Sequence, residues 1–252
     1  MYVASRFALE PERAVELAAQ IGVGELITAG PRGLDATLLP FNIKYDDADT
    51  LHLHSHMARI NPQAGDSGPC LMVVTGPNTY ISPSDMPPGP ADAPLARVPT
   101  WNYLTVHLRG ELTIHEDPAW LIPTLRELVD AHEIAHHGGT WRPDTHARPE
   151  QLRRMLRAIV GVDIKVTEII GKAKLSQNLS TEEIAATAVN LRRRREKNAA
   201  TQIAELMENL AIPTAAAREE AVERAKHGPW AARAGTEAEE DGVVSDSKRT
   251  ET

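Results

Sequence analysis

The sequence predicts a mainly β protein with helices: a barrel of short strands followed by a helical extension. Three observations point there. Apolar and β-branched runs recur at short, regular spacing between residues 24 and 116, divided by Gly-Pro, Pro-Arg-Gly and Asp-rich turns. Such spacing suits a barrel better than a parallel α/β sheet. The pattern then turns helical, returns to period two once at 159–169, and is helical throughout from Thr181.

Pro11, at a first helical position, opens a short helix through Gln20. GELITA (24–29) reads as a strand and Gly30-Pro31-Arg32-Gly33 as its turn. Residues 34–45 are extended, with Pro40 interrupting them or marking an edge. A polar turn at 46–49 leads into TLHLHS. CLMVVTG and NTYIS read as two strands divided by Gly76-Pro77. Residues 83–99, rich in proline, read as a loop. WNYLTVHLRGELTIHE (101–116) alternates with period two, as one long strand or a hairpin. A helix follows, with Asp117 as N-cap, Pro118 at its first position and Gly138 as its stop. Pro149 starts an arginine-rich helix. In IVGVDIKVTEI, Val160, Val162, Ile164 and Val166 face one way and Asp163, Lys165 and Thr167 the other, as in a half-buried strand. The expected organisation is a barrel domain over 1–180, a helical extension over 181–230, and a disordered acidic tail over 231–252.

The totals bound the function. The chain has 252 residues, 42% hydrophobic and 25% charged, enough to bury a core. Its net charge of −8 excludes a global attraction to nucleic acid and leaves only local basic patches. The single cysteine, Cys70, excludes an internal disulfide and reads as a small core hydrophobe rather than a nucleophile. No apolar stretch spans a bilayer and no signal-peptide pattern opens the chain, so the cytoplasm is expected.

The stretch HSHMARINPQ carries the sharpest chemistry. A turn where a strand ends exposes backbone N–H groups, and Arg59 offers a guanidinium fork to a phosphate. Ser55, His56, Met57, Arg59 and Asn61 are the candidates, with Asn61 holding the turn. The alternative is a surface arginine in an ordinary turn. His52, His54 and His56 share one strand face. Side chains two residues apart stand about 7 Å apart, too far for all three to meet one zinc ion, so no metal is expected there.

Four clusters, HMARINPQ (56–63), TYISPS (79–84), VPTWNYLTVHLRG (98–110) and KLSQN (174–178), occur in the order found in the PaiB-like FMN-binding family, described as negative transcriptional regulators. RAIVGVDIKVTEIIGK shares the family's look, and the resemblance spans about residues 1–210. It implies a split β-barrel related to the pyridoxamine-phosphate oxidase and flavin-reductase barrels. It also implies a homodimer with FMN at the subunit interface. Tyr80, Ser82 and Ser84 would line the ring or the ribityl chain, as would Thr37. Trp101 and Asn102 would meet the flavin near the dimer edge. Lys174, Ser176, Gln177 and Asn178 would reach the partner's flavin. Structural readings stand beside these: Tyr80 in a plain strand, Trp101 in the core, KLSQN as a solvated loop. The sequence departs from the family where Leu38 follows Thr37 in place of histidine, and where Asp85 and Met86 follow Ser84 in place of aromatics. Both departures bear on the substrate side of the flavin.

Regulator and flavin-dependent oxidoreductase therefore stand as the leading functions. A third reading is a zinc hydrolase, because His132-Glu133-Ile134-Ala135-His136 matches H-E-x-x-H. Against it, Arg142 fills the third-ligand position of the longer pattern. Arg192–Arg195 is a basic run that reads either as a DNA-phosphate contact or, better, as a solvated helix face.

Overall fold

The computed structural model describes residues 1–88, 97–138, 141–194 and 197–226; the expected tail at 231–252 lies outside them. The chain divides into two compact units, Met1–Tyr80 with Thr100–Lys174, and Ile81–Pro99 with Leu175–Thr252.

The first unit is built on β1 (Ala8–Leu9), α1 (Pro11–Ile21), β2 (Val23–Gly30), β3 (Gly33–Pro40), β4 (Asn42–Tyr45), β5 (Leu51–Ala58), β6 (Gly68–Ile81), β7 (Thr100–His115), α2 (Pro118–His137), α3 (Pro143–His146), α4 (Pro149–Arg157) and β8 (Ile159–Lys174). The strands form one sheet in the order β3-β2-β6-β7-β8-β5-β4, with β1 added to β8. Chain continuity closes this path into a barrel. β3 and β4 stand at its opposite ends, yet only the buried Phe41 separates them in sequence. The Ser55 hydroxyl on β5 seals the seam, donating to the Pro40 carbonyl at 2.5 Å.

The interior follows from strand alternation. Leu51, Leu53 and Met57 of β5 and Val160, Val162, Ile164 and Val166 of β8 point inward and are buried with Leu26, Met72, Val74, Val106 and Leu108. Each fully buried Leu, Ile or Met contributes about 1.5–3 kcal/mol. Cys70 joins this core, and burial pushes its thiol up to about 12.

One expectation is corrected, and one left open is decided. CLMVVTG and NTYIS form one 14-residue strand. β6 pairs with β2 only through residues 70–73, so Pro77 falls in its edge portion, where a missing donor is tolerated. The 101–116 run is one long strand, with its register shift between Arg109 and Gly110. Asp117 and Pro118 start α2 as expected, and Gly138, at φ 58°, ends it in the left-handed region.

The second unit is mainly helical: α5 (Thr181–Arg192), α6 (Lys197–Leu206), a π-helical segment (Met207–Ala211) and α7 (Ile212–Lys226). Ser180 and Glu183 form a capping box on α5. Ile184, Ala188, Leu191, Ile203, Ala204, Met207, Ala211 and Ala215 are buried in it. Among the described residues no helix is long and apolar enough to cross a membrane.

Candidate functional site

The turn after β5 is held from inside. The Asn61 side chain accepts from the Gln63 N–H at 3.0 Å and donates to the Thr37 hydroxyl at 2.9 Å. Thr37 in turn donates to the Gln63 side chain. Gln63, with no exposed surface, donates to the carbonyls of Leu26 and Asp35 and to the Thr28 hydroxyl. Thr28 donates to Asp66 at 2.6 Å. Thr37 and Asn61 thus belong to a buried polar network that locks the turn onto β2 and β3. Sequence reasoning missed Thr28, Gln63 and Asp66. The only available signal was a Gln and an Asp flanking a short turn.

This locking changes the expected phosphate chemistry. The N–H groups of Arg59, Asn61, Gln63 and Ala64 are all consumed, by the Ala158 carbonyl, the Ala58 carbonyl, the Asn61 side chain and the Asn61 carbonyl. These donors are not free for an anion. Ser55 and Met57 face the barrel interior at 1% and 3% exposure, so neither lines a surface site. His56 faces the opposite way, into an apolar cavity of about 360 Å³ lined by Leu125, Val129, Trp141, Met155 and Leu156. Its Nδ1 is buried with no hydrogen-bond partner, and burial holds the imidazole below its ordinary value. Period-two alternation, together with the cover of α2–α4, separates His56 from the turn.

Arg59 is the surviving phosphate candidate. Its Nε donates to the Arg157 carbonyl at 3.0 Å and its Nη2 to the Ile159 carbonyl at 3.1 Å. Two main-chain oxygens therefore fix the plane of the guanidinium. Its Nη1 pairs at 2.9 Å with Glu116, whose side chain is 69% exposed. The Glu116 carboxylate stands where an external anion would sit. An exposed pair of this kind is worth only about 0–1 kcal/mol, so a phosphate dianion can displace it. On this observation the residues fit a phosphate group.

The ring candidates lie elsewhere in the first unit. Tyr80 and Trp101 form an edge-to-face pair, 6.2 Å between centroids, and both are exposed, at 43% and 54%. Neither is core. The Lys174 ammonium donates to the Thr100 hydroxyl and to the Trp101 carbonyl. Asn102 is fully buried. An exposed aromatic pair beside an anchored cation fits the edge of a planar, electron-poor ring.

Ser82, Ser84, Ser176, Gln177 and Asn178 belong to the second unit. Ser82 and Asp85 form a capping box, in which Ser82 accepts from the Ser84 N–H and donates its own N–H to Asp85 at 2.7 Å. Asp85, where the family pattern has an aromatic, also pairs with Arg194, and its carbonyl accepts from Asn190. Ser176 holds a left-handed φ of 68° and is buried. The buried Gln177 accepts from the Leu175 N–H through its side chain and from Arg218 through its carbonyl. Asn178 alone of the three is exposed. KLSQN is thus an ordered corner rather than a solvated loop.

The remaining motifs are placed as follows. His132 is exposed at the end of α2, and the side chain of His136 lies outside the described residues. Arg192 pairs with Glu208 and Arg194 with Asp85, so the basic run is partly neutralised; Arg195 lies outside the described residues. His52 and His54 turn toward Asp163 on β8, with His52 Nδ1 at 2.8 Å and His54 Nε2 at 3.7 Å from the same oxygen.

Comparison with known proteins agrees with the sequence resemblance. Residues 1–168 match the family described as "Putative FMN-binding domain". The chain is 32% identical to the "Protease synthase and sporulation protein PAI 2" of Bacillus subtilis over 189 residues, covering 74% of this chain and 86% of that protein. It is 32% identical over 105 residues to the yeast "Uncharacterized protein YKL070W", covering 40% of this chain and 61% of that protein. Among solved structures, the conserved hypothetical protein Rv2991 of Mycobacterium tuberculosis superposes with a TM-score of 0.48 at 14% identity, covering 71% of this chain and 94% of that one. The FAD and heme binding protein of Mycobacterium smegmatis superposes with a TM-score of 0.46 at 14% identity, covering 66% and 71%. With the family matched over 168 of 252 residues and a relative at 32% identity over most of both chains, this protein belongs to the PaiB-like FMN-binding family, with FMN as its cofactor.

Proposed function

We propose that the protein is a homodimeric flavin-sensing regulator whose two FMN sites each take residues from both protomers. One observation carries the reading: the two halves of the candidate site stand far apart in one protomer. Thr37, tied to the Arg59–Asn61 turn, pairs with Leu26, and Leu26 pairs with Met72 on β6. Tyr80 lies eight residues further along β6. Eight strand residues span about 26 Å, longer than a single FMN. A second copy, turned about a two-fold axis, supplies the missing half. Exposed Leu34 (81%) and Leu38 (61%) share one face of the end strand β3 and suit such an interface. Leu38 stands where the family carries histidine, so the departure removes a titratable group and adds apolar contact.

When bound, FMN supplies a redox-active ring and a phosphate anchor. Arg59, its guanidinium plane fixed by the Arg157 and Ile159 carbonyls, would hold the phosphate. Tyr80 and Trp101 would bear on the ring edge, and Lys174 orients Trp101 through its carbonyl. The name of the B. subtilis relative couples that protein to protease synthesis and sporulation, which favours regulation over metabolism here. Arg192 and Arg194 are already paired with Glu208 and Asp85, which favours a different surface for any contact with DNA. The alternative, a flavin-dependent oxidoreductase, rests on the flavin itself.

The test has two parts. Purified protein is expected to be yellow, with one FMN per chain, and to sediment as a dimer. Leu38→Glu is expected to give monomers that release FMN; monomers retaining full flavin would sink the shared-site reading. Reduced nicotinamide oxidised with steady turnover would favour the enzyme. A flavin-dependent shift of promoter DNA would favour the regulator.

A further inference from the structure

We propose that His52, His54 and Asp163, on the outer face of the barrel beneath Trp120, form a binding site for a divalent transition cation of the zinc class. One ligand atom from each of the three residues lies within 4.8 Å of the others. His52 Nδ1 stands 2.8 Å and His54 Nε2 3.7 Å from the same Asp163 oxygen. A tetrahedral zinc with bonds of about 2.0–2.1 Å needs donors about 3.3 Å apart, so small side-chain rotations complete the set. Two imidazoles and a carboxylate suit a borderline cation and leave one position open.

The strand spacing of about 7 Å that separates alternate histidines is overcome from the neighbouring strand. Asp163 stands opposite His54 in the β5–β8 ladder, and its carboxylate also reaches His52, one alternate position along β5. His56, the third of the series, points into the apolar cavity and takes no part.

The surroundings of the three residues are those of a supported metal site. His115 Nε2 faces the other Asp163 oxygen at 3.6 Å, and His52 Nε2 faces Asp46 at 3.5 Å. Both nitrogens are buried and neither has a hydrogen-bond partner. A carboxylate behind a ligating imidazole fixes its tautomer and raises its basicity. Asp46 is itself fixed by the N–H groups of Ala48 and Thr50. The Trp120 ring stacks on His115, 4.3 Å between centroids and 4° from parallel, and tilts over His54 at 5.0 Å. It reaches that place over Gly161, where a Cβ would meet the indole at 2.3 Å. The side chains of His52 and Asp163 are each 17% exposed and that of His54 is 21% exposed. A bound cation would tie β5 to β8 and seat the first turn of α2, where Trp120 lies.

The experiment uses the full-length protein, stripped with a chelator and titrated with Zn²⁺, and with Co²⁺ as a spectroscopic probe. About one zinc per chain is expected, with tetrahedral cobalt d–d bands. The melting temperature should rise by roughly 5–10 °C at about 100-fold excess over Kd. His54→Gln should lose both metals, and His115→Gln should weaken binding about 10–100-fold. His132→Gln, on the H-E-x-x-H segment, should bind as wild type does. The cluster is a hydrogen-bonded polar knot and nothing more if wild type takes up no stoichiometric zinc or cobalt. The assignment also falls if His54→Gln keeps wild-type affinity, or if metal is lost from His132→Gln instead. Asp163→Asn is avoided as the primary variant, because Asp163 meets three imidazoles and its loss can unfold the face.

Discussion

Removing the Arg59 side chain separates phosphate binding from structural support, because the guanidinium does both. In Arg59→Ala, FMN loses a charge-assisted contact worth about 1.5–3 kcal/mol. Its Kd is therefore expected to rise about 10- to 150-fold. The fold also loses the hydrogen bonds to the Arg157 and Ile159 carbonyls. At about 0.5–1.5 kcal/mol each, they sum to about 1–3 kcal/mol. The Glu116 pair, exposed on its acidic side, adds little. The melting temperature should drop by roughly 2–12 °C. Arg59→Lys keeps the charge but loses the fork, and is expected to fall between alanine and wild type. Glu116→Gln removes the competing carboxylate and should tighten FMN by up to about fivefold. Titration of the flavin-free protein with FMN, followed by fluorescence quenching well below each melting point, reads all three. A folded Arg59→Ala with wild-type FMN affinity would refute the assignment. So would a Glu116→Gln that binds FMN more weakly than wild type.

Three further outcomes follow from burial and titration. Cys70, with its thiol pushed up to about 12, should resist disulfide reagents at pH 8 in the folded protein and react fully in denaturant; rapid labelling of folded protein would contradict its core position. Burial holds His107 below its ordinary value, with the N-terminus and Arg109 reinforcing the shift. The unfolded chain then binds the proton first, so this contribution to stability is present above about pH 6.5 and declines as pH falls below it. Urea midpoints from pH 8 to 5 should fall less steeply in His107→Leu, and parallel curves would show that His107 takes no part. Gly161→Val should strongly destabilise the protein and displace Trp120, seen as a red shift and loss of tryptophan intensity quenching; an unchanged spectrum and midpoint would refute the close approach.

The barrel was legible wherever one face of a strand alone is buried. The alternation of Val160, Val162, Ile164 and Val166 against Asp163 and Lys165 carries through to the structure residue by residue. So do the Asp117 cap and the Gly138 stop of α2, because caps are local chemistry. The length of β6 was not legible. Gly76-Pro77 is a turn signal by composition, and only the absence of a β2 partner past residue 73 lets the strand continue. A barrel was expected, but the strand order that closes it was not legible. It follows from where β3 and β4 stand in the sheet order, and single-chain periodicity carries no information about sheet order.

Side-chain accounting explains why the candidate site was read less well than the fold. HSHMARINPQ advertises donors, but a motif cannot say which donors are already used. Asn61, Gln63 and Thr37 consume the turn's own N–H and hydroxyl groups from within, and strand alternation sends Ser55 inward and His56 under α4. The best remaining group for an external phosphate is the Arg59 guanidinium edge, which two main-chain carbonyls fix and an exposed carboxylate occupies. The same accounting works in reverse for the histidines. Their spacing argued against a shared ion, yet a carboxylate from an adjacent strand brings ring nitrogens of His52 and His54 to within 3.7 Å of one Asp163 oxygen. In both places the candidate chemistry depends on which partners the fold sets beside a polar atom. Those partners are residues such as Asp163 and Glu116, which lie far away in sequence from the motifs they complete.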